Sequence, residues 1–155
     1  MKKVKLCIIG AGRAGMLHGR NYENNINRAE VVAVVDKNNK IANEKAKELN
    51  AVPYSDFKNA LKKEDFEAVC IGAPTFVHQK AVVEAAQAQK HIFCEKPLSL
   101  TLKEANKMEK VVKENQIKFQ IGFMRRFDDN FLRAKKILKK GEIGKPILIK
   151  SVGRS

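Results

Sequence analysis

A glycine-rich turn between an apolar segment and a helix-like segment is the feature that most constrains the fold of this chain. The segment Val4–Ile9 is almost continuously apolar, which is typical of a central parallel strand covered on both faces. It runs directly into the hexapeptide GAGRAG at residues 10–15, and a helix is predicted over residues 14–24. A GxGxxG motif between a strand and a helix predicts a turn that binds the pyrophosphate of a dinucleotide.

Each glycine of this motif has its own predicted role. Gly10 permits the tight turn, Gly12 lets the pyrophosphate approach the backbone, and Gly15 lets the helix pack close to the strand. The helix N-terminus supplies free N–H groups to the phosphates. The predicted phosphate-binding residues are therefore Gly10, Gly12, Arg13, Ala14 and Gly15.

One carboxylate bears on which dinucleotide is bound. Asp36 follows the second predicted strand, residues 31–35, at the position where an acidic residue accepts hydrogen bonds from the adenosine ribose. A carboxylate there repels a 2′-phosphate, so the predicted cofactor is NAD. Lys37 and Lys40 lie nearby and attract phosphate, which leaves NADP as the less favoured alternative.

Strand-like and helix-like segments alternate along the rest of the chain. Such alternation predicts an α/β fold, a doubly wound parallel sheet of the Rossmann type, for residues 1–140. Thr101 and Glu104 have the spacing of a capping box at the start of one helix. Residues 141–155 are predicted to be a linker followed by a strand over 147–152. Because that strand has no evident partner, we expect it to begin a second, α+β domain absent from this chain.

Composition excludes several classes of protein. The hydrophobic fraction of 44% and the charged fraction of 31% are those of a globular protein. No apolar run reaches the roughly 20 residues that span a bilayer, and the N-terminal run is too short for a signal peptide. We therefore expect a cytoplasmic protein without a membrane partner. The three cysteines lie in strand-like segments and no Cys/His spacing fits a metal site, so buried thiols and no metal are expected.

The net charge of +14 raises the possibility of nucleic-acid binding. The lysines, however, are interleaved with glutamates on several helices, and aromatic residues make up only 6% of the chain, so a surface for stacking bases is not evident. We expect no nucleic-acid partner. The basic excess over residues 133–150 is either a solvated face or a surface for an acidic partner.

The loop GAPTFVH, residues 72–78, leaves a predicted strand at its carboxyl end. That edge is where open α/β sheets bind ligands, so Ala73, Pro74, Thr75 and His78 are predicted cofactor contacts. Pro74 stiffens the turn, and Thr75 is a candidate N-cap for the helix that follows.

The segment FCEKPL places charged residues at the carboxyl end of the strand His91–Cys94. Lys96 is predicted to project into the cofactor crevice, where an ammonium hydrogen-bonds a substrate hydroxyl or carbonyl and stabilises a developing alkoxide. Glu95 is predicted to pair with Lys96 or to contact the cofactor. Pro97 fixes the backbone, and the Lys96–Pro97 bond is a candidate for the cis form. The alternative is that Glu95 and Lys96 form only a surface ion pair.

These motifs together, with QIGFMRRFD at residues 120–128, resemble the Gfo/Idh/MocA oxidoreductases over the whole chain, and most of all their inositol 2-dehydrogenases. The resemblance implies that a hydride passes between a polyol such as myo-inositol and NAD. It implies that Lys96 contacts the reacting hydroxyl and that Met124 and Arg125 line the substrate pocket. In that family the acid/base His and Asp come from the second domain, so residues 1–155 alone are expected to be inactive. Full-length members are commonly oligomers, which implies a homo-oligomer.

Three alternatives stay open. The first is another sugar or polyol dehydrogenase, or a reductase such as those acting on biliverdin, within the same family. The second is a non-catalytic nucleotide-binding module. The third is a nucleic-acid binder, against which the Glu95-Lys96-Pro97 motif and Asp36 both argue, since binding a phosphate backbone requires neither.

Overall fold

The structure is a computed structural model that describes residues 2–152. The strands are β1 (Val4–Ile9), β2 (Ala29–Val35), β3 (Val52–Tyr54), β4 (Ala68–Ile71), β5 (His91–Cys94) and β6 (Phe119–Ile121). The helices are α1 (Arg13–Asn25), α2 (Asn39–Glu48), α3 (Phe57–Lys63), α4 (Thr75–Gln87), α5 (Leu102–Glu114) and α6 (Asp129–Lys139).

The strands form one parallel sheet in the order β3-β2-β1-β4-β5-β6. The chain therefore builds outward from β1 to β3, crosses back, and continues from β4 on the other side. The strand order reverses between β1 and β4, and open α/β sheets bind ligands outside the carboxyl ends of the strands at such a point. The predicted doubly wound Rossmann fold is confirmed.

Both faces of the sheet are buried, because alternate strand residues enter two separate cores. Cys7 and Ile9 of β1 pack in the core that α3, α4 and α5 cover. Ile8 packs in the opposite core with Met16 of α1 and Leu49 after α2. Burial on both faces explains why the central strands are continuously apolar in sequence.

The sequence-predicted elements agree closely with the observed ones. The bounds of β1 and β5 are as predicted, and β2 begins two residues before the expected start. The capping box of α5 is confirmed, because Glu104 N donates to Thr101 Oγ1 and Thr101 N donates to Glu104 Oε2. The predicted cap of α4 is wrong. Pro74 occupies the N-cap position, and Thr75 is already the first helical residue.

The described chain divides into two compact units after Gly122. The second unit contains a short 3-10 turn, Met124–Arg126, and α6, whose N-cap Asp128 accepts from the N–H groups of Asn130 and Phe131. The strand predicted over 147–152 is not formed in the described residues, since a strand requires a neighbouring strand to complete its hydrogen bonds. Residues 153–155 of the predicted linker and strand, and Met1, lie outside the described residues. The domain boundary predicted at 140–141 stays a prediction.

The three cysteines are free and buried, as the sequence predicts. Burial raises the pKa of Cys70 and of Cys94 to about 12, so both are neutral thiols at physiological pH. Within residues 2–152 no helix has the length and apolarity to cross a membrane. The same residues contain no group of three or more His, Cys, Asp or Glu side chains arranged to hold a metal ion.

The start of α1 packs against the loop after β4 at backbone-to-backbone distance. A Cβ at Gly72 would lie 2.5 Å from Gly15 N and 2.6 Å from Gly15 Cα, which is closer than real Cβ atoms approach backbone. Gly15 itself faces the carbonyl oxygen of Gly10 across the turn. The predicted close packing at Gly15 is therefore present, and Gly72 is a second glycine that it requires.

Replacing Gly72 with alanine tests this contact. We expect the free energy of unfolding to fall by about 1–3 kcal/mol, because the new Cβ overlaps backbone atoms that have no freedom to move away. Urea unfolding followed by circular dichroism measures the change. Gly12→Ala is the matched control, since nothing lies within 4 Å of a Cβ at Gly12. Equal stability of the two variants would contradict the assignment.

Candidate functional site

A cleft of about 480 Å³ opens at the carboxyl ends of β1, β2 and β4, on the β2 side of the crevice. The glycine turn, the end of β2, the start of α3 and the loop into α4 form its walls. Its lining includes Gly10, Asp36, Lys37, Ser55, Asp56, Phe57, Ala73, Pro74, Phe76 and Lys80. Four of the predicted cofactor contacts therefore share one cleft, namely Gly10, Asp36, Ala73 and Pro74.

The N-terminus of α1 is free to bind an anion. Gly12 is its N-cap and has no side chain to accept from the first N–H groups of the helix. No acidic residue stands in the first turn, so nothing on the helix itself opposes a phosphate there. These N–H groups belong to Arg13, Ala14 and Gly15, the residues predicted to bind the pyrophosphate.

Asp36 holds the glycine turn as well as facing the cleft. Its Oδ2 accepts from Ala11 N at 2.9 Å, and its Oδ1 accepts from Asn38 N at 2.9 Å. Each carboxylate oxygen has a second lone-pair direction left for a ligand hydroxyl. The side chain can therefore bind a ribose diol from a position that the backbone fixes. Sequence reasoning predicted the ligand contact but not the link to Ala11.

His78 lies in the first turn of α4, but its side chain is buried. The side chain is only 1% exposed. Its Nε2 lies 2.8 Å from the carbonyl oxygen of Ala73, and its Nδ1 lies 3.0 Å from that of Pro97 and 3.2 Å from that of Leu98. A ring enclosed in this way has no surface to offer a cofactor. The prediction of direct contact is wrong, and His78 instead links the loop after β4 to the turn after β5.

Lys96 lies at the carboxyl end of β5, and its side chain is exposed. The Lys96–Pro97 bond is cis, as predicted. The proposed ion pair with Glu95 is absent from the described residues. Glu95 Oε1 lies 2.8 Å from His18 Nε2 instead, and Glu95 Oε2 accepts from the backbone N–H of Lys96 at 3.0 Å. Whether Glu95 also contacts the cofactor stays a prediction.

Met124 and Arg125 belong to the second compact unit. Met124 is exposed, and the Arg125 guanidinium lies 5.1 Å from the ring centroid of Phe131 within that unit. Their predicted contacts with substrate stay predictions.

Sequence reasoning missed one side of the cleft. Ser55, Asp56 and Phe57 follow β3, and Phe76 stands in the first turn of α4 with 70% of its surface exposed. A large aromatic side chain exposed beside a cleft is available to pack against a planar ligand. The sequence signal that could have found these residues is their position just after β3 and β4, since ligands bind where parallel strands end.

A doubly wound sheet, an uncapped helix behind a glycine turn and a carboxylate at the end of the second strand together define a dinucleotide-binding domain. Comparison with known protein families gives the same class. The model of the Gfo/Idh/MocA group, described as an oxidoreductase family with an NAD-binding Rossmann fold, matches residues 4–123. The chain therefore belongs to the Gfo/Idh/MocA oxidoreductases and carries their NAD-binding domain, which confirms the resemblance seen in its motifs.

Several relatives are similar along nearly the whole chain. The uncharacterized oxidoreductase YrbE of Bacillus subtilis is 39% identical over 99% of this chain and 45% of its own length. The scyllo-inositol 2-dehydrogenase (NAD(+)) of the same organism is 38% identical over 98% of this chain and 45% of its own length.

A solved structure of scyllo-inositol dehydrogenase from Lactobacillus casei, with bound NAD(H) and scyllo-inositol, is also similar. It superposes with a TM-score of 0.87 at 34% identity, over 92% of this chain and 43% of that chain. The chain thus spans less than half the length of the relatives that it matches.

Gly12→Ala tests whether the cofactor binds at the glycine turn without changing the stability of the fold. Because a Cβ at Gly12 meets no protein atom within 4 Å, the variant should unfold at the same urea concentration as the parent chain. The added methyl group stands where the pyrophosphate is predicted to approach the backbone, so we expect NAD affinity to fall tenfold or more, equal to about 1.4 kcal/mol. Calorimetric titration with NAD measures the loss. Unchanged affinity would show that phosphates do not bind at this turn.

Proposed function

We propose that this chain is the cofactor-binding part of a dehydrogenase that transfers a hydride between a polyol such as myo-inositol and NAD. The proposal rests on the exposed side chain of Lys96 at the end of β5. This strand is the neighbour of β4, and the loop after β4 lines the cleft. Similarity to inositol dehydrogenases of known cofactor supports it.

The residues of this chain bind the cofactor and polarise the reacting hydroxyl of the substrate. NAD, when bound, accepts the hydride from the ring carbon of the polyol. The N–H groups at the start of α1 bind its pyrophosphate, and Asp36 binds its adenosine ribose. The Lys96 ammonium hydrogen-bonds the hydroxyl on the reacting carbon and stabilises negative charge on that oxygen as the hydride leaves. The family resemblance assigns the base that takes the hydroxyl proton to a part of the protein outside these 155 residues.

NAD is the proposed cofactor in preference to NADP. Both oxygens of Asp36 are fixed by backbone donors, so the carboxylate cannot turn away from a 2′-phosphate without losing those hydrogen bonds. Lys37 lines the same cleft and offsets part of the repulsion.

Calorimetric titration with NAD and NADP is the direct test. We expect NAD to bind at least tenfold more tightly than NADP, because the 2′-phosphate approaches a fixed carboxylate. Asp36→Ala should weaken NAD more than NADP and so reduce the difference, at the scale of about 1.5–3 kcal/mol for hydrogen bonds to a charged group. Glu114→Ala at the end of α5, away from the cleft, is the matched control for losing a carboxylate. Preference of the parent chain for NADP would overturn the cofactor assignment.

Lys96→Ala in the intact enzyme tests the catalytic assignment. We expect NAD affinity to change by less than about twofold and turnover with myo-inositol to fall on the order of 10²-fold or more, the usual scale for losing a positioned electrostatic group. Lys103→Ala on α5 is the matched control for losing an exposed lysine. Undiminished turnover of Lys96→Ala would reduce this residue to a surface charge.

Two alternative functions differ from the proposed one in substrate or in catalytic activity. A different sugar or polyol substrate leaves the roles of Asp36 and Lys96 unchanged, and turnover assays across polyols distinguish the two cases. A non-catalytic nucleotide-binding module is the alternative of another class, and it predicts cofactor binding without turnover in the intact protein.

A cytoplasmic location is supported by the three unpaired cysteines, which suit a reducing compartment. Homo-oligomerisation, and the expected lack of nucleic-acid and membrane partners, remain predictions.

A further inference from the structure

A histidine in the second turn of α1 contacts the motif that carries Lys96. His18 Nε2 lies 2.8 Å from Glu95 Oε1, and the two side chains are 21% and 20% exposed. The His18 ring also meets the Phe93 ring edge to face, with centroids 4.8 Å apart. His18 is therefore held in place by β5 and lies between the helix of the glycine motif and the turn after β5.

The contact determines where the Glu95 carboxylate points. One oxygen faces His18 and the other accepts from the Lys96 N–H at 3.0 Å, while Glu95 N donates to Ile71 O at 2.9 Å. Glu95 is thus fixed at its backbone and at both carboxylate oxygens. Lys96, its neighbour in sequence, makes no ion pair among the described residues.

An unrestrained carboxylate beside a lysine would be free to pair with the ammonium. Such a pair would compete with a substrate hydroxyl for the donors on Lys96, and it would reduce the positive charge available to an alkoxide. We infer that His18 is a positioning residue: by binding Glu95 it fixes the Lys96 backbone and keeps the Lys96 ammonium free for substrate. This inference rests on the proposed function of Lys96.

The other titratable groups around the pair do not change charge in the physiological range. Tyr22 on α1 lies beside His18, with ring centroids 6.4 Å apart, and Cys70 on β4 and Cys94 on β5 are both close enough to Glu95 to interact electrostatically. Burial raises the pKa of Tyr22 well above its usual value and that of each of the two thiols to about 12. None of these three groups therefore adds a charge that competes with His18 for the Glu95 carboxylate.

Nuclear magnetic resonance on residues 1–155 tests the contact without requiring turnover. We expect the Lys96 amide signal to shift in His18→Leu, because the Glu95 carboxylate that accepts from this amide is no longer held by His18. In His18→Gln, whose amide still donates to Glu95, the Lys96 amide signal should stay close to that of the parent chain. His91→Gln is the matched control, since His91 lies at the start of β5 and its Nδ1 accepts from Lys118 N. A Lys96 amide signal that is unchanged in His18→Leu overturns the inference.

Kinetics of the intact enzyme supply the second readout. His18→Leu should lower kcat on the order of tenfold to a hundredfold while KM for NAD stays within about twofold, since the change displaces Lys96 but spares the phosphate site. His18→Gln should retain most of kcat. Adding Glu95→Gln to His18→Leu should recover part of the loss, because a neutral amide no longer pairs with the ammonium. A double variant no better than His18→Leu would contradict the claim that Glu95 captures Lys96.

The two experiments separate the two hypotheses. If Lys96 is not catalytic, Lys96→Ala and His18→Leu both leave turnover intact, whereas the coupling between the Lys96 amide and His18 persists in the spectra. If the His18 contact is wrong but Lys96 is catalytic, Lys96→Ala loses turnover and His18→Leu does not.

Discussion

Close contact between two backbone segments at the carboxyl end of the sheet fixes the start of α1 against the loop after β4. The turn after β1 and the loop after β4 approach so closely that Gly72 has no space for a side chain beside Gly15. Gly72 N donates to Ile9 O at 2.9 Å, which joins the two segments directly. Because α1 begins in one segment and α4 begins just after the other, this contact fixes the uncapped helix N-terminus relative to Pro74 and Phe76 in the cleft wall.

Two carboxylates extend that arrangement to either side. Asp36 accepts from Ala11 N on the β2 side, and Glu95 accepts from Lys96 N and binds His18 on the β5 side. In each case a carboxylate at the end of one strand binds the segment that carries the glycine motif. The residue types that suggest ligand binding in the sequence therefore also hold the backbone, and a substitution at either position changes both properties at once.

The sequence predicts the parts of this structure that local patterns determine. The apolar run Val4–Ile9 predicted its strand with correct bounds, because a central strand that is buried on both faces contains few polar residues. The roles of His78 and His18 could not be predicted, because each depends on partners far along the chain. His78 meets Pro97 and Leu98, 19 and 20 residues away, and His18 meets Glu95, 77 residues away. The strand expected at 147–152 stays a prediction for the second domain, since the described residues contain no neighbouring strand that pairs with it.

These distant partners explain why two charged residues, Glu95 and Lys96, follow each other at the end of a buried strand. Burying a carboxylate is unfavourable unless its oxygens are hydrogen-bonded, and Glu95 meets that requirement with His18 and with its neighbour's N–H rather than with the Lys96 ammonium. On the other side of the turn, the buried His78 lies within hydrogen-bond distance of Pro97 O and Ala73 O. The turn that carries Lys96 is therefore tied to α1 through one imidazole and to α4 through the other. Since α1 begins in the glycine motif and α4 carries Phe76 beside the cleft, the turn that carries Lys96 is held by the two helices that begin next to the cleft.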